Sequence, residues 1–167
     1  MGQSRKILFF FLLCIVSIGC DRVTKNLAKE HLQNREPLSY FHDTVRLEYA
    51  ENTGAFLSFG ADWPPLAGFL VFTIFPLFLL SAILVYAVKK SGKIGYLKMT
   101  ALGLVLSGGI GNLADRVFFN KRVSDFLNIG VSGLRTGIFN LADLAVTTGV
   151  ILLLLQQYRE KKEMRTV

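Results

Sequence analysis

Two aspartates invite attention because of where they sit. Asp143 falls in "GIFNLADLAVTTGVILLLL", residues 137–155, with Asn140 three residues before it. The stretch reads as a membrane span, and an ionised side chain inside lipid costs several kcal/mol by the more moderate scales. Upstream, "GNLADRVFFNKRVSDF", residues 111–126, carries Asp115 and Asp125. Two carboxylates held about 3 Å apart cannot both ionise, so one keeps a proton while the other acts as a base. Such a pair can activate water against a carbonyl and protonate the departing amine, which is the chemistry of peptide hydrolysis.

Other chemistries lack their parts. Ser107 and Ser124 have no histidine in any apolar run, and no lysine is placed for a serine–lysine pair. His31 and His42 are isolated, and neither HExxH nor a paired CxxC occurs, so no metal set is written into the spacing. Cys14 and Cys20 are six residues apart. On a helix that is roughly 9 Å of rise, too far for a disulfide.

The carboxylates come with polar company at helical spacing. Gly108, Asn112, Asp115 and Arg116 fall on one helix face, as do Asn140, Asp143 and Thr147, and as do Asp21, Thr24 and Lys25. Each set also has a plainer reading. Asp21 and Lys25 at i, i+4 make an ion pair that anchors a helix end. Asp115 and Arg116 make a structural pair. Asn140 caps a helix. Gly103, Ser107 and Gly111 at four-residue spacing form a close-packing stripe. Convergence of three polar sets at one depth is what favours a site. Asp143 is then one carboxylate, and Asp115 or Asp125 is the other. A pairing with Arg116 would leave Asp115 no proton to share. Asp125, flanked by Val123, Phe126 and Leu127, has the apolar setting that a shared proton prefers. The residues themselves leave both choices open.

The elements that must carry these groups are apolar helices. The chain has 167 residues, 51% of them hydrophobic, and a mean hydropathy of +0.43. That is one domain, too apolar and too segmented for an ordinary soluble one. Four runs, at about 7–28, 66–88, 96–117 and 138–156, each approach the ~20 residues of a bilayer-spanning helix. The second is expected to kink or thin at Pro76. The net charge of +7 does not signal nucleic acid, because the basic residues cluster at the ends of apolar runs. Arg5 and Lys6 precede the first run; Lys89, Lys90, Lys93 and Lys98 lie between the second and third; Arg159, Lys161, Lys162 and Arg165 follow the fourth. Positive-inside therefore places both termini and the middle loop in the cytoplasm, with regions 29–65 and 118–137 outside.

Two local patterns complete the reading. Residues 5–20, a basic pair, an apolar stretch and "SIGC", mimic a lipoprotein signal ending at Cys20. Three further spans and an ill-suited Ser17 make Cys20 a small helix residue instead. In "TVRLEYAENTGAFLSFG", residues 44–60, Val45, Leu47 and Tyr49 alternate with Arg46, Glu48 and Ala50 before an Asn-Thr-Gly turn. That is the pattern of a strand and hairpin, expected to lie as a small sheet over the outer mouth of the bundle.

Five blocks now carry a resemblance: "DRVTK" at 21–25, "NTGAF" at 52–56, "GGIGNLADR" at 108–116, "VSDF" at 123–126 and "FNLAD" at 139–143. In order and spacing they resemble the lipoprotein signal peptidases (signal peptidase II), over nearly the whole chain. The resemblance implies a four-span membrane aspartic endopeptidase, needing no cofactor, that cuts diacylglyceryl-modified bacterial prolipoproteins just before the lipidated cysteine. It implies an inner-membrane enzyme blocked by the cyclic peptide globomycin, with its site on the extracytoplasmic side; a monomer is expected, although nothing in the sequence sets the oligomeric state. It implies Asp125 and Asp143 as the catalytic pair. Asn112, Arg116 and Asn140 would line the site, Asp115 would orient Arg116, and Gly108 belongs to the same block. Asp21 and Lys25 would support from the first helix, and Asn52 and Gly54 would belong to a loop closing over substrate. The chain departs from the usual pattern in having one alanine, Ala55, before Phe56, in Ser124 and in Leu144. Two other classes compete, an ion-coupled carrier and a non-catalytic scaffold. Polar groups gathered at one end, with no charged residue through the core of the second span, argue against a path across the membrane.

Overall fold

The structure, a computed structural model, describes residues 2–54, 59–60, 62–131 and 133–165. Its elements run α1 (Gln3–Leu32), β1 (Leu38–Tyr40), β2 (Val45–Asn52), α2 (Pro65–Lys90), α3 (Tyr96–Phe118), β3 (Val123–Val131), β4 (Leu134–Arg135) and α4 (Leu141–Arg165). All four helices are long and apolar enough to cross a bilayer.

The burial pattern of α1 explains its place. Phe10, Cys14, Asp21, Lys25, Ala28 and Leu32 form one buried stripe, while Leu8, Leu12, Ile15 and Val16 on the other sides are exposed. A helix that is apolar all round and covered on one stripe only is built for lipid. α3 is the hub: it packs against α1, α2 and α4, and Met99, Leu102 and Leu106 join Phe10, Cys14, Leu80 and Ala87 in a core. Small residues set the spacing. A Cβ on Gly108 would lie 2.2 Å from the Ala142 carbonyl oxygen, and one on Gly111 would lie 2.8 Å from Asp21 Oδ2. Gly103 meets Leu13 and Phe10, and Ser107 donates to Ser17 Oγ, so the stripe Gly103–Ser107–Gly111 is the packing surface its spacing suggests. Cys14 and Cys20 are free thiols, and α1 continues unbroken past Cys20.

α2 begins at Pro65, whose missing N–H is no loss in a first turn. Just before Pro76 it switches to a π-helical turn over Leu70–Ile74. A proline ring clashes with the carbonyl four residues back, and a wider turn takes up that clash. The switch directs Phe72, alone in that turn, into the interior.

The sheet is antiparallel in the order β1-β2-β3-β4. β2 is the strand expected from its alternation, but its hairpin partner is upstream, in β1, through a turn with left-handed Phe41, His42 and Asp43. On its other edge β2 pairs with β3 in a register that sets Ala50 opposite Asp125 and Asn52 opposite Val123, with a bulge between Leu47 and Ala50. Phe126 carries the sheet onto the bundle by packing with Ala28 and Leu32 of α1, joined by Leu47, Tyr49, Leu127 and Leu141. The fourth apolar run also differs from expectation. Phe139 is not helical; it bridges to Leu127, and α4 starts only at Leu141.

Candidate active site

Asn140 is the hinge of the arrangement. Its Oδ1 accepts the Asp143 backbone N–H at 2.9 Å, and Asp143 Oδ2 accepts the Asn140 backbone N–H at 3.2 Å. This is a reciprocal cap of the α4 N-terminus in the manner of a capping box. The amide of the same side chain points the other way: Nδ2 donates to Asp125 Oδ1 at 2.6 Å. One asparagine thus holds the two aspartates in a fixed relation, Asp125 from the edge of β3 and Asp143 from the first turn of α4.

Each carboxylate is finished by a second amide. Asn52 Nδ2 donates to Asp125 Oδ2 at 3.2 Å, and Asn112 Nδ2 donates to Asp143 Oδ1 at 2.8 Å. Asn112 Oδ1 accepts from Asn140 Nδ2 at 3.2 Å and from Lys25 Nζ at 3.1 Å. Asp125 is 2% exposed. Its carboxyl is pushed up to about 6, first by burial and then by the neighbouring Asp143 charge, against the opposing hydrogen bonds from Asn52 and Asn140.

Cations stand one step back. Lys25, 1% exposed, sits 2.7 Å from Asp21 Oδ2 and 2.8 Å from Asp115 Oδ2. Asp21 Oδ1 also accepts the Ala142 backbone N–H at 2.9 Å, tying α1 to the first turn of α4. Arg116 Nη2 donates to the Gly54 carbonyl at 2.6 Å, and its guanidinium lies over Phe72, 6.0 Å from the ring centroid. Gly54 is held in turn by its own N–H to Asn52 Oδ1 at 2.8 Å.

Most residues singled out by sequence meet here: Asp21, Lys25, Asn52, Gly54, Asn112, Arg116, Asp125, Asn140 and Asp143. Two placements differ, those of Asp115 and Thr24. Asp115 does not pair with or orient Arg116; it bonds Arg22 and Lys25 of α1. Consecutive helix residues point about 100° apart, so Asp115 faces α1 while Arg116 faces the loop. Gly108 supports from behind, where the lack of a Cβ leaves room for the Ala142 carbonyl of α4. Thr24 returns its hydroxyl to the Cys20 and Asp21 carbonyls of its own helix. Arg22 was missed by the sequence reasoning, although it stands beside Asp21 in the same block. Ala55 and Phe56 lie outside the described residues.

A cavity of about 510 Å³ opens between α2, α3 and α4. Val71, Phe72, Phe75 and Val146 make it apolar, while Asn112, Arg116 and Asp143 supply a polar wall. An apolar segment lying in it would present backbone to Asp143. Amides make four contacts to the two carboxylates, and among the described residues no cation forms an ion pair with either.

The comparisons point in one direction. The family model described as signal peptidase (SPase) II matches residues 13–159. A lipoprotein signal peptidase of Borrelia turicatae (strain 91E135) is 33% identical over 168 residues, covering 98% of this chain and 96% of its own. One from Treponema denticola is 35% identical, covering 97% and 98%, and one from Chlorobaculum tepidum is 37% identical, covering 87% and 91%. A bacterial membrane enzyme solved by the in meso method superposes with a TM-score of 0.81 at 23% identity, over 94% of this chain and 92% of that one.

Proposed function

The chain belongs to the signal peptidase II family, and from that premise we propose that it removes the signal peptides of bacterial prolipoproteins with an aspartate pair, Asp125 and Asp143, at the extracytoplasmic face of the inner membrane. The observation that carries the pair is the Asn140 bridge: one side chain caps Asp143 and donates to Asp125.

The substrate's apolar segment lies in the cavity along α2, α3 and α4, and its diacylglyceryl cysteine keeps its acyl chains in the bilayer. That fixes the bond before the cysteine at the depth of the pair. One carboxylate takes a proton from a water held between them, and the other, protonated, hydrogen-bonds the scissile carbonyl. Hydroxide adds to the carbonyl carbon as the proton passes to its oxygen. Collapse of the tetrahedral intermediate breaks the C–N bond, and the proton held by the base goes to the leaving cysteine nitrogen. Asn52, Asn112 and Asn140 keep both aspartates in register throughout, and Arg116 and the Gly54 loop close over the polar wall. No metal or cofactor takes part.

Separate Asp125→Asn and Asp143→Asn variants test this. Both remain folded and membrane-inserted, and each leaves diacylglyceryl-prolipoprotein uncleaved where the wild type processes it. Cleavage that survives Asp125→Asn but fails in Asp115→Asn overturns the assignment. A wild type that cleaves nothing returns the carrier or scaffold reading.

A further inference from the structure

A second cavity, of about 340 Å³, shares Arg116 and Phe72 with the first. It lies between the start of α2 and the turn after α3, and Thr53, Trp63, Phe69, Asn120, Lys121 and Arg122 also line it. The first cavity is apolar with a polar wall; this one sets three cations, Arg116, Lys121 and Arg122, beside an aromatic wall of Trp63, Phe69 and Phe72. Among the described residues no carboxylate lines it.

The three cations are not equally available. Arg122 is engaged by Glu51, 2.6 Å away, and Arg116 by the Gly54 carbonyl. Lys121 has no ion pair among the described residues; its Nζ lies 5.7 Å from the Phe69 ring centroid, on the cavity wall. The backbone holds it there. Asn120 and Lys121 are both left-handed, at φ 51° and 65°, and the Lys121 N–H donates to the Arg116 carbonyl at 3.0 Å, closing α3. A left-handed lysine is disfavoured and persists only where its surroundings impose it.

Resting on the peptidase reading, we infer that this cavity receives the substrate residues that follow the lipidated cysteine and that Lys121 makes it favour an acidic side chain among them. A chain that leaves the apolar cavity past Asp143 meets Arg116, the wall common to both spaces. An uncompensated cation beside that exit attracts a carboxylate and repels a lysine. A lipid phosphate would suit the same charge, but the shared Arg116 wall places the cavity on the route of the peptide.

The experiment compares kcat/KM for one prolipoprotein carrying Asp, Ser or Lys immediately after the cysteine, first in bilayers of neutral lipid and then in bilayers with a graded fraction of anionic lipid. The wild type prefers Asp over Ser by about fivefold, the size of one partly screened charge pair, and the preference shrinks as salt is raised. The Asp/Ser ratio falls to one in Lys121→Gln and inverts in Lys121→Glu. Equal kcat/KM for all three in an active wild type overturns the acidic subsite and leaves the peptidase reading standing. A wild type inactive on all three sinks both. A rate that instead tracks the fraction of anionic lipid, with no dependence on substrate charge, and loses that dependence in Lys121→Gln assigns the cavity to a headgroup and overturns the peptide.

Discussion

At the scale of single residues, the site turns on amides holding carboxylates. Asp125 lies within β3, buried opposite Ala50 of β2, and its carboxyl is raised from 3.8 to about 6 by burial and then by Asp143. An activity that needs one proton shared by the pair is lost once that proton leaves. The expected kcat/KM for prolipoprotein falls about tenfold per pH unit above an apparent pKa near 6 that belongs to the pair. A profile flat through pH 8 contradicts the shared proton. The same shift has a folding consequence of definite sign. The native carboxyl holds its proton to higher pH than the unfolded chain does, so this group makes folding less favourable as pH rises from 3.8 through about 6. Asp125→Asn lacks that loss, and its thermal midpoint relative to wild type rises over the same interval. Asn140 separates capping from catalysis. Ser is as good a cap as Asn, so Asn140→Ser keeps stability within about 1 kcal/mol. It removes the amide that reaches Asp125, and cleavage falls by about 10²-fold, the scale of a misplaced catalytic group. Comparable loss of stability and activity would mean that Asn140 is only a cap.

At the scale of elements, three helices are locked together by the buried group Asp21, Lys25 and Asp115. Lys25 contacts both carboxylates and Asn112, so it joins α1 to α3, while Asp21 reaches the first turn of α4. Lys25→Met leaves two buried carboxylates without their common cation and should cost about 3–5 kcal/mol. Adding Asp21→Asn and Asp115→Asn to it recovers part of that loss, read by thermal unfolding in detergent; no recovery would place the cost in packing instead. Gly108→Ala pushes a Cβ into the Ala142 carbonyl, and overpacking of this kind costs about 1–3 kcal/mol. Gly19→Ala, with nothing within 4 Å of its Cβ, is the tolerated control. The sequence made the helices legible because a run of about 20 apolar residues has few other fates. It made Asn140 and Asp143 legible because their spacing of three suits both a cap and a shared face. β3 stayed hidden: its partner β2 lies about 75 residues away, as in the Tyr49–Ser124 contact, and no local alternation announces a long-range pairing. The start of α4 was misjudged for a related reason, since Ile138 and Phe139 are apolar in a bridge as readily as in a helix. The partner of Asp115 was missed because a neighbour in sequence is not a neighbour on a helix.

At the scale of the whole molecule, four helices long and apolar enough to cross a bilayer carry most of the exposed apolar surface, and the fold matches that of a bacterial membrane enzyme. Leu12, Ile15, Leu70, Phe78, Ile151 and Leu154 are all exposed, which in lipid is satisfaction and in water would be aggregation. The cavity beside Asp143 is walled by α2, α3 and α4, all long and apolar enough to cross a bilayer. Which face the sheet occupies decides the substrate. Lys89, Lys90, Lys93 and Lys98 sit at the opposite end from Asp125, in or beside the connection between α2 and α3, and positive charge is retained in the cytoplasm. In a background with Cys14→Ala and Cys20→Ala, His42→Cys in the turn between β1 and β2 should react with a membrane-impermeant maleimide in spheroplasts, where no outer barrier intervenes. Lys93→Cys should react only after the membrane is permeabilised. The reverse pattern would put the aspartates on the cytoplasmic side, where a signal peptide crossing outward presents its basic end rather than its cleavage site, and the proposed reaction would lose its substrate.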